Sequence, residues 1–420
     1  MNIELINTGA ELLVGRVLNT HQQWLCRQLT DLGYEVTRQV CVPDGSGAIQ
    51  AAVREAMSRA DLVIATGGLG PTSDDLTRDA IAQLLGQRLI LHPPTLAWIE
   101  QFFSQRRRPM PASVQVQAMI PENALVLPNP NGTAPGLAME SVAGKQWIVL
   151  LPGPPRELRP MFLESVVPLL HRVFPLSSKF LCLTFKTTGL GESVVEEKIA
   201  GPLQVLVAAG LELAYCARVG EVDVRIAARG DSTENLLAAT EKIIRDLLGP
   251  VIFGTGDDSL ESVVVQSLTA RGETLAVAES CTGGFLANRL TNVPGASAVF
   301  LGGVVTYSNQ AKQDILGVPS ETLCDHGAVS KAVARAMAEG ARRVFKSDYA
   351  LAVTGIAGPG GGTGEKPVGT AFVALATKQD TTVHLLYSPV DRETFKFVVS
   401  QKSLDLLRVA QMGRPSPDNS

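Results

Sequence analysis

"DLVIATGGLGPTSDDLTRDAIAQLLG", residues 61–86, sets an apolar run, a glycine-rich turn and a helical repeat in immediate succession. "DLVIAT" is short, continuous and β-branched, which reads as a buried strand. "DDLTRDAIAQLLG" reads as a helix that stops at Gly86, a C′ glycine. Between them, Gly67, Gly68 and Gly70 let the backbone turn tightly and bring N–H groups toward an anion. A strand that passes through such a turn into a helix is the repeating unit of a parallel sheet covered by helices.

The same alternation extends in both directions. "IELIN" is a strand-like run, followed by Leu18, Leu25, Leu29 and Leu32 at helical spacing with Asn19 or Thr20 as N-cap. "EVTRQVCV" reads as a strand and "GAIQAAVREAMSRA" as a helix. "GPPRELRPMFLESVVPLLHRVFP" reads as a helical exit, with Pro175 to Ser178 as linker. A smaller α+β unit follows, containing "GESVVEEKIAGPL" as a helix and "LELAYCARVGEVDVRIAARG" as a two-strand ribbon. Strand–helix alternation resumes from Leu260. The expected organisation is therefore an α/β domain with a mainly parallel sheet over 1–175, an α+β module over 176–255 and a second α/β domain over 256–413. Residues 414–420, "RPSPDNS", read as a disordered tail.

The chain has 420 residues, 45% hydrophobic and 19% charged, which suits a soluble globular protein of two or three domains. A net charge of −4 gives no global attraction to nucleic acid or anionic lipid. The first residues enter a strand-like run without a basic n-region or apolar h-region, and no stretch reaches the length of a membrane helix. The six cysteines are scattered without a CxxC pair, which predicts reduced thiols, a cytoplasmic location and no Cys/His metal centre.

The turn at 67–77 is the first candidate site. Thr72 and Thr77 carry hydroxyls suited to phosphate oxygens, and the following helix adds free N–H groups. Asp74 and Asp75 either cap that helix or hold a divalent cation against a phosphate. Glu11, after the first strand, is a third carboxylate. "PNPNGTAPG" (128–136), with Asn129, Gly132 and Thr133, and "LLPGPPREL" (150–158) fall after strands, where ligands of open α/β sheets bind. Neither GxGxxG after a predicted strand nor GxxxxGK[ST] occurs. "RRRP" (106–109) reads as a solvated loop.

"LAVAESCTGGFLANRL", 275–290, is the second. Ser280 at a strand-to-helix junction would see backbone N–H groups able to stabilise an oxyanion. Two alternatives stand beside it: Ser280 and Thr282 as ordinary turn and cap residues, and Cys281 as the nucleophile with His326 as base. "AVFLGGVVTYSNQAKQDILG" brings Tyr307 from a strand end and Lys312 from the first turn of a helix, and either serves as base for a serine. "LAVTGIAGPGGGTGEKPVGT" (351–370), with Thr354, Gly355, Gly358, Gly360 and Lys366, suits a phosphate or a disordered loop. Arg392 in "VDRETFK" is a further anion contact or a helix-surface arginine.

Taken together, "TGAELLVGRVLNTH", "TGGLGPTSDDLT", "PNPNGTAPG" and "LPGPPREL" resemble the molybdopterin-binding-like (MoaB/Mog) domain as it stands in the CinA family. "AESCTGG", "GGVVTYSN", "HGAVS" and "TGIAGPGGGTGEKPVGT" are similar to the C-terminal, PncC-type domain of that family, and "TTGLGESVVEEKI" (187–199) to its KH-like linker. The resemblance covers about 1–412. It implies two activities on small nucleotides. The C-terminal domain would hydrolyse the carboxamide of nicotinamide mononucleotide without a cofactor. Ser280 would be the nucleophile, with Tyr307 its partner, Lys312 and Arg392 assisting, and Glu279, Thr282, Gly283, Gly284 and the glycine loop around substrate. The N-terminal domain would hydrolyse ADP-ribose-type pyrophosphates with a divalent cation such as Mg²⁺ on Asp74, Asp75 and Glu11, and with K⁺ as a second ion. Ala10 departs from relatives that carry Asp or Thr in that slot. A homodimer is implied, without membrane or nucleic-acid partners: "GLGES" with Glu196 and Glu197 is acidic where a KH clamp needs basic flanks. The alternative is a non-catalytic pterin- or nucleotide-binding accessory protein linked to competence or DNA damage.

Overall fold

The computed structural model describes residues 1–141, 144 and 146–412, and the expected tail at 414–420 lies outside the described residues. The chain divides into two units, Met1–Leu181 and Cys182–Ser420.

In the first unit a six-stranded sheet runs in the order Glu35–Val42, Asn2–Thr8, Leu62–Thr66, Trp147–Leu151, Gly136–Glu140, Leu125–Leu127. The first four strands are parallel, and Gly136–Glu140 runs antiparallel to both of its neighbours, so five of the six strands share one direction and the sheet is mainly parallel as expected. Every residue of Leu62–Thr66 is buried, because helices cover both faces of the sheet and each face needs apolar side chains. One face packs Ile3, Leu5, Ile64 and Val149 against Leu25, Leu29 and Phe162; the other packs Ile6, Val63 and Ile148 against Ile49, Val53 and Ile81. Asn19 caps the helix Thr20–Asp31 by accepting from Gln22 N at 3.2 Å. The exit segment is helical, Pro155–Met161 and Val167–Val173, with a π-turn between them at Phe162–Val166.

The second unit holds two sheets. Glu212–Arg218 and Glu221–Arg229 form the expected antiparallel ribbon in a four-stranded sheet with Phe180–Thr188 and Ile252–Thr255, covered by the helices Glu192–Ala208 and Thr233–Leu248. The other sheet has the order Phe300–Val305, Leu275–Glu279, Tyr349–Gly355, Thr370–Ala376, Thr381–Tyr387. Its first three strands are parallel, and Thr370–Ala376 runs antiparallel to both of its neighbours. Among the described residues no helix is long and apolar enough to cross a membrane.

Candidate functional site

In the first unit, strands Asn2–Thr8, Leu62–Thr66 and Trp147–Leu151 all end at one edge, and a cavity of about 610 Å³ opens beyond them. Parallel strands place their carboxyl ends together, so the loops that follow them share one cleft. Glu11, Gly67, Gly68, Gly70, Asp74, Asp75 and Thr133 line it; Thr72, Thr77, Asn129 and Gly132 stand outside its lining.

The glycines are demanded by close approach. A Cβ on Gly68 would collide with the Thr77 hydroxyl, and one on Gly70 with the Asp75 carboxylate. Thr77 is buried, its hydroxyl 3.3 Å from Thr8 Oγ1, so it ties the turn to the first strand. The helix begins at Thr77, with Leu76 at the N-cap and no side-chain cap. Capping by Asp74 or Asp75 is therefore not how this turn is built. Asp75 instead accepts from Thr72 N at 3.0 Å and from the Thr72 hydroxyl. Asp74 is exposed, and the Thr72 hydroxyl keeps its carboxyl below the ordinary value. Behind the cavity, Asn129 Nδ2 donates to Ala134 O and to Glu157 Oε2, both at 2.8 Å, which fixes the 128–136 loop.

Sequence reading passed over other lining groups: Thr8, His21, Asp44, Gln117 and Glu157. Burial lowers the His21 pKa, so its imidazole is neutral at pH 7. His21 closes the "TGAELLVGRVLNTH" motif, but its residue type points to no role there, since the sequence alone does not show that this helix starts at the cleft.

In the second unit, Leu275–Glu279 delivers Ser280 to the end of a buried parallel strand. Ser280 is 9% exposed and donates its N–H to Val353 O at 3.0 Å. The turn beyond it needs left-handed backbone at Gly283 (φ +61) and Gly284 (φ +93), which L side chains avoid. The helix Phe285–Thr291 then begins.

Glu279 is fully buried, and its carboxylate accepts from Gly284 N (2.9 Å), Leu286 N (3.1 Å) and Ala287 N (2.8 Å). It satisfies the orphan donors of that helix, which would otherwise be buried unpaired. Two expectations change in consequence. Thr282 does not cap: its Oγ1 is buried without a hydrogen-bond partner among the described residues. The helix N-terminus is also occupied, and Glu279 is turned into the turn's own framework.

Lys312 lies on Asn309–Leu316, a helix capped by Ser308, whose hydroxyl accepts from Ala311 N at 3.1 Å. Only 1% of Lys312 is exposed. Its Nζ donates to Ser280 Oγ at 3.2 Å, to Thr306 O at 2.8 Å and, more weakly, to Tyr307 O at 3.5 Å. Burial pushes the Lys312 ammonium pKa down. Tyr307 extends toward solvent, and its hydroxyl accepts from Arg392 Nη2 at 2.8 Å. Arg392 Nη1 donates to Gly358 O at 2.8 Å, so the first residue of the helix Arg392–Met412 holds the glycine loop. Ser280, Lys312, Tyr307, Arg392 and Gly358 thus form one chain of contacts.

The rest of the loop is anchored to its surroundings. Thr354 Oγ1 donates to Ala328 O and Lys366 Nζ to His326 O, both at 2.8 Å. Gly355 pairs with Ala371 in the sheet, and a Cβ on Gly360 would meet only open space. Cys281 packs in the hydrophobic core, and burial pushes its thiol up to about 12. Burial of that sulfur and its raised pKa speak against the Cys281–His326 alternative.

Three family models match the chain: "CinA C-terminal domain" over residues 257–410, "Probable molybdopterin binding domain" over 4–172 and "Damage-inducible protein CinA KH domain" over 183–254. A CinA-like protein of Akkermansia muciniphila is 45% identical over 416 residues, 99% of each chain. A CinA-like protein of Desulfovibrio desulfuricans is 42% identical over 422 residues, 99% of this chain and 97% of that one. The crystal structure of competence/damage inducible protein CihA from Agrobacterium tumefaciens shares 41% identity, covers 36% of this chain and 93% of its own, and gives a TM-score of 0.36.

Proposed function

Because the chain belongs to the CinA family, we propose that its C-terminal domain is a serine amidohydrolase acting on nicotinamide mononucleotide. The products are nicotinate mononucleotide and ammonia. The contact of Lys312 Nζ with Ser280 Oγ at 3.2 Å carries this reading.

Burial favours the neutral amine of Lys312, which has two N–H groups for the Thr306 and Tyr307 carbonyls and, in that form, a lone pair that accepts from Ser280 Oγ in place of the donation to it. The serine then donates its proton to Nζ as Oγ bonds to the carboxamide carbon. The carbonyl π pair moves onto oxygen. Collapse breaks the C–N bond, and the proton on Lys312 passes to the departing nitrogen, which leaves as ammonia. Water, deprotonated by Lys312, opens the acyl-serine and returns the proton to Oγ. Arg392 and the glycine loop supply positive charge and backbone donors for the nucleotide phosphate.

The N-terminal cavity suits an ADP-ribose-type pyrophosphate. No three His, Cys, Asp or Glu side chains among the described residues stand together as a metal cage. Glu11 and Asp74 nonetheless line the cavity, which fits a Mg²⁺ completed by substrate oxygens. Such a cation would neutralise charge on the phosphates, while the glycine turn cradles them.

Ammonia release from nicotinamide mononucleotide by the full chain, wild type against Ser280→Ala, tests the first reading. Activity retained in the variant sinks the serine mechanism. Activity in neither protein would favour the non-catalytic accessory role. For the N-terminal cavity, Asp74→Asn should abolish Mg²⁺-dependent ADP-ribose hydrolysis, and unchanged turnover removes Asp74 from the site.

A further inference from the structure

Lys396 lies one helical turn beyond Arg392 on the helix Arg392–Met412, and residues four apart share a helix face. Glu393, three residues before it, is also a neighbour on the helix surface, yet the two form no ion pair. Asp391 is engaged elsewhere, since its carboxylate accepts from Glu393 N and Thr394 N, both at 3.0 Å. Lys396 is partly exposed and lays its ammonium over the Phe285 ring instead, 5.7 Å from the centroid.

That ring belongs to the amidase turn. Phe285 directly follows Gly284 and opens the helix Phe285–Thr291. The two helices run side by side in the same direction. Phe285 meets Phe397 at 6.3 Å between centroids, and one turn later Arg289 donates to Ser400 Oγ at 2.8 Å and to Gln401 Oε1 at 2.6 Å. Both helices therefore start at the edge where Ser280 stands, and Lys396 sits between the residue that closes its turn and the Arg392 guanidinium.

The charge suits one part of a mononucleotide. The carboxamide that meets Ser280 is neutral, whereas the phosphate at the other end of the molecule is the anion. Arg392 already spends N–H groups on Gly358 O and the Tyr307 hydroxyl. The Lys396 ammonium has three donors, and none is given to a protein oxygen among the described residues.

We infer that Lys396 binds the phosphate of the amidase's mononucleotide substrate beside Arg392, and so sets its preference for a phosphorylated over an unphosphorylated pyridine riboside. The inference rests on reading the C-terminal domain as an amidase of such a nucleotide.

Ammonia release by the full chain tests it, with nicotinamide mononucleotide as substrate and with ribose 5-phosphate and nicotinamide riboside as competitors. Lys396→Met should raise KM roughly tenfold or more and weaken inhibition by ribose 5-phosphate to the same degree, as loss of a charge-assisted hydrogen bond does. Inhibition by the riboside, which has no phosphate, should stay within about twofold of wild type. Lys396→Arg should recover most of the loss, because it restores the cation. A Lys396→Met chain whose KM and ribose 5-phosphate inhibition match wild type overturns the inference alone. Equal weakening of the riboside and ribose 5-phosphate also overturns it, leaving Lys396 a support of the Phe285 contact, as does a fall in kcat with KM unchanged. A wild type that releases no ammonia overturns the amidase reading and the inference with it.

Discussion

Lys312 Nζ stands 3.2 Å from Ser280 Oγ although 32 residues separate them, because adjacent parallel strands end side by side and each hands its next segment to the same edge. Ser280 follows Leu275–Glu279, and Lys312 follows Phe300–Val305 by one helical turn. Removing either partner should stop the amidase. Ser280→Ala and Lys312→Met are expected to lower kcat by roughly a thousandfold or more. Lys312→Arg should be equally inactive, since a guanidinium keeps its proton. Ammonia release measures all three.

The pH dependence follows from the direction of the Lys312 shift. Burial lowers its pKa, and the deprotonated amine is the base, so the competent fraction grows as pH rises through the lowered value. On the acid side kcat/KM should fall about tenfold per pH unit, with a plateau reached below the ordinary lysine pKa of about 10.4. A kcat/KM with no acid-side fall at any pH where the protein stays folded would remove Lys312 as base.

Cys281 should be chemically silent. With its thiol pushed up to about 12, iodoacetamide near pH 8 is expected to leave it unmodified in the folded protein. Cys281→Ala should keep amidase activity and lose about 1 kcal/mol of stability through the small cavity created. Peptide mass mapping and thermal melting report these two effects.

Glu279→Gln replaces a carboxylate that accepts three backbone N–H groups with an amide that can supply one acceptor oxygen. The variant should lose about 2 kcal/mol of stability, together with kcat, because the same turn holds Ser280. Urea titration separates this from a pure effect on turnover.

Gly132→Ala should destabilise the first unit by about 1–3 kcal/mol, since the added methyl would strike the Glu157 carboxylate and the Asn129 amide. The effect should appear in the melting of a 1–181 fragment if that unit folds alone, and in the full chain otherwise.

Much of this was readable from residue order. Buried runs such as "DLVIAT" and "LAVAE" read as strands covered on both faces, and the glycine turns after them fall where ligands of open α/β sheets bind. The cap at Asn19 is local chemistry, confined to three residues. Ser280, Lys312, Tyr307 and Arg392 could be named from their motifs. Their connection could not, because a 3 Å contact between segments 32 or 85 residues apart depends on strand order and register.

Tertiary structure also decided which polar groups are free. Glu279 looked available for substrate, yet the helix that follows it consumes its carboxylate. Thr282 and Asp75 looked like caps, and neither caps its helix. Gln117 carried no sequence signal at all, because an unpaired amide oxygen is defined only by what folding leaves around it. Sequence by itself determined the alternation of strand and helix, since periodicity and backbone preference act over a few residues. Burial, pKa and hydrogen-bond satisfaction were settled by packing, since they depend on neighbours that the chain brings from far away.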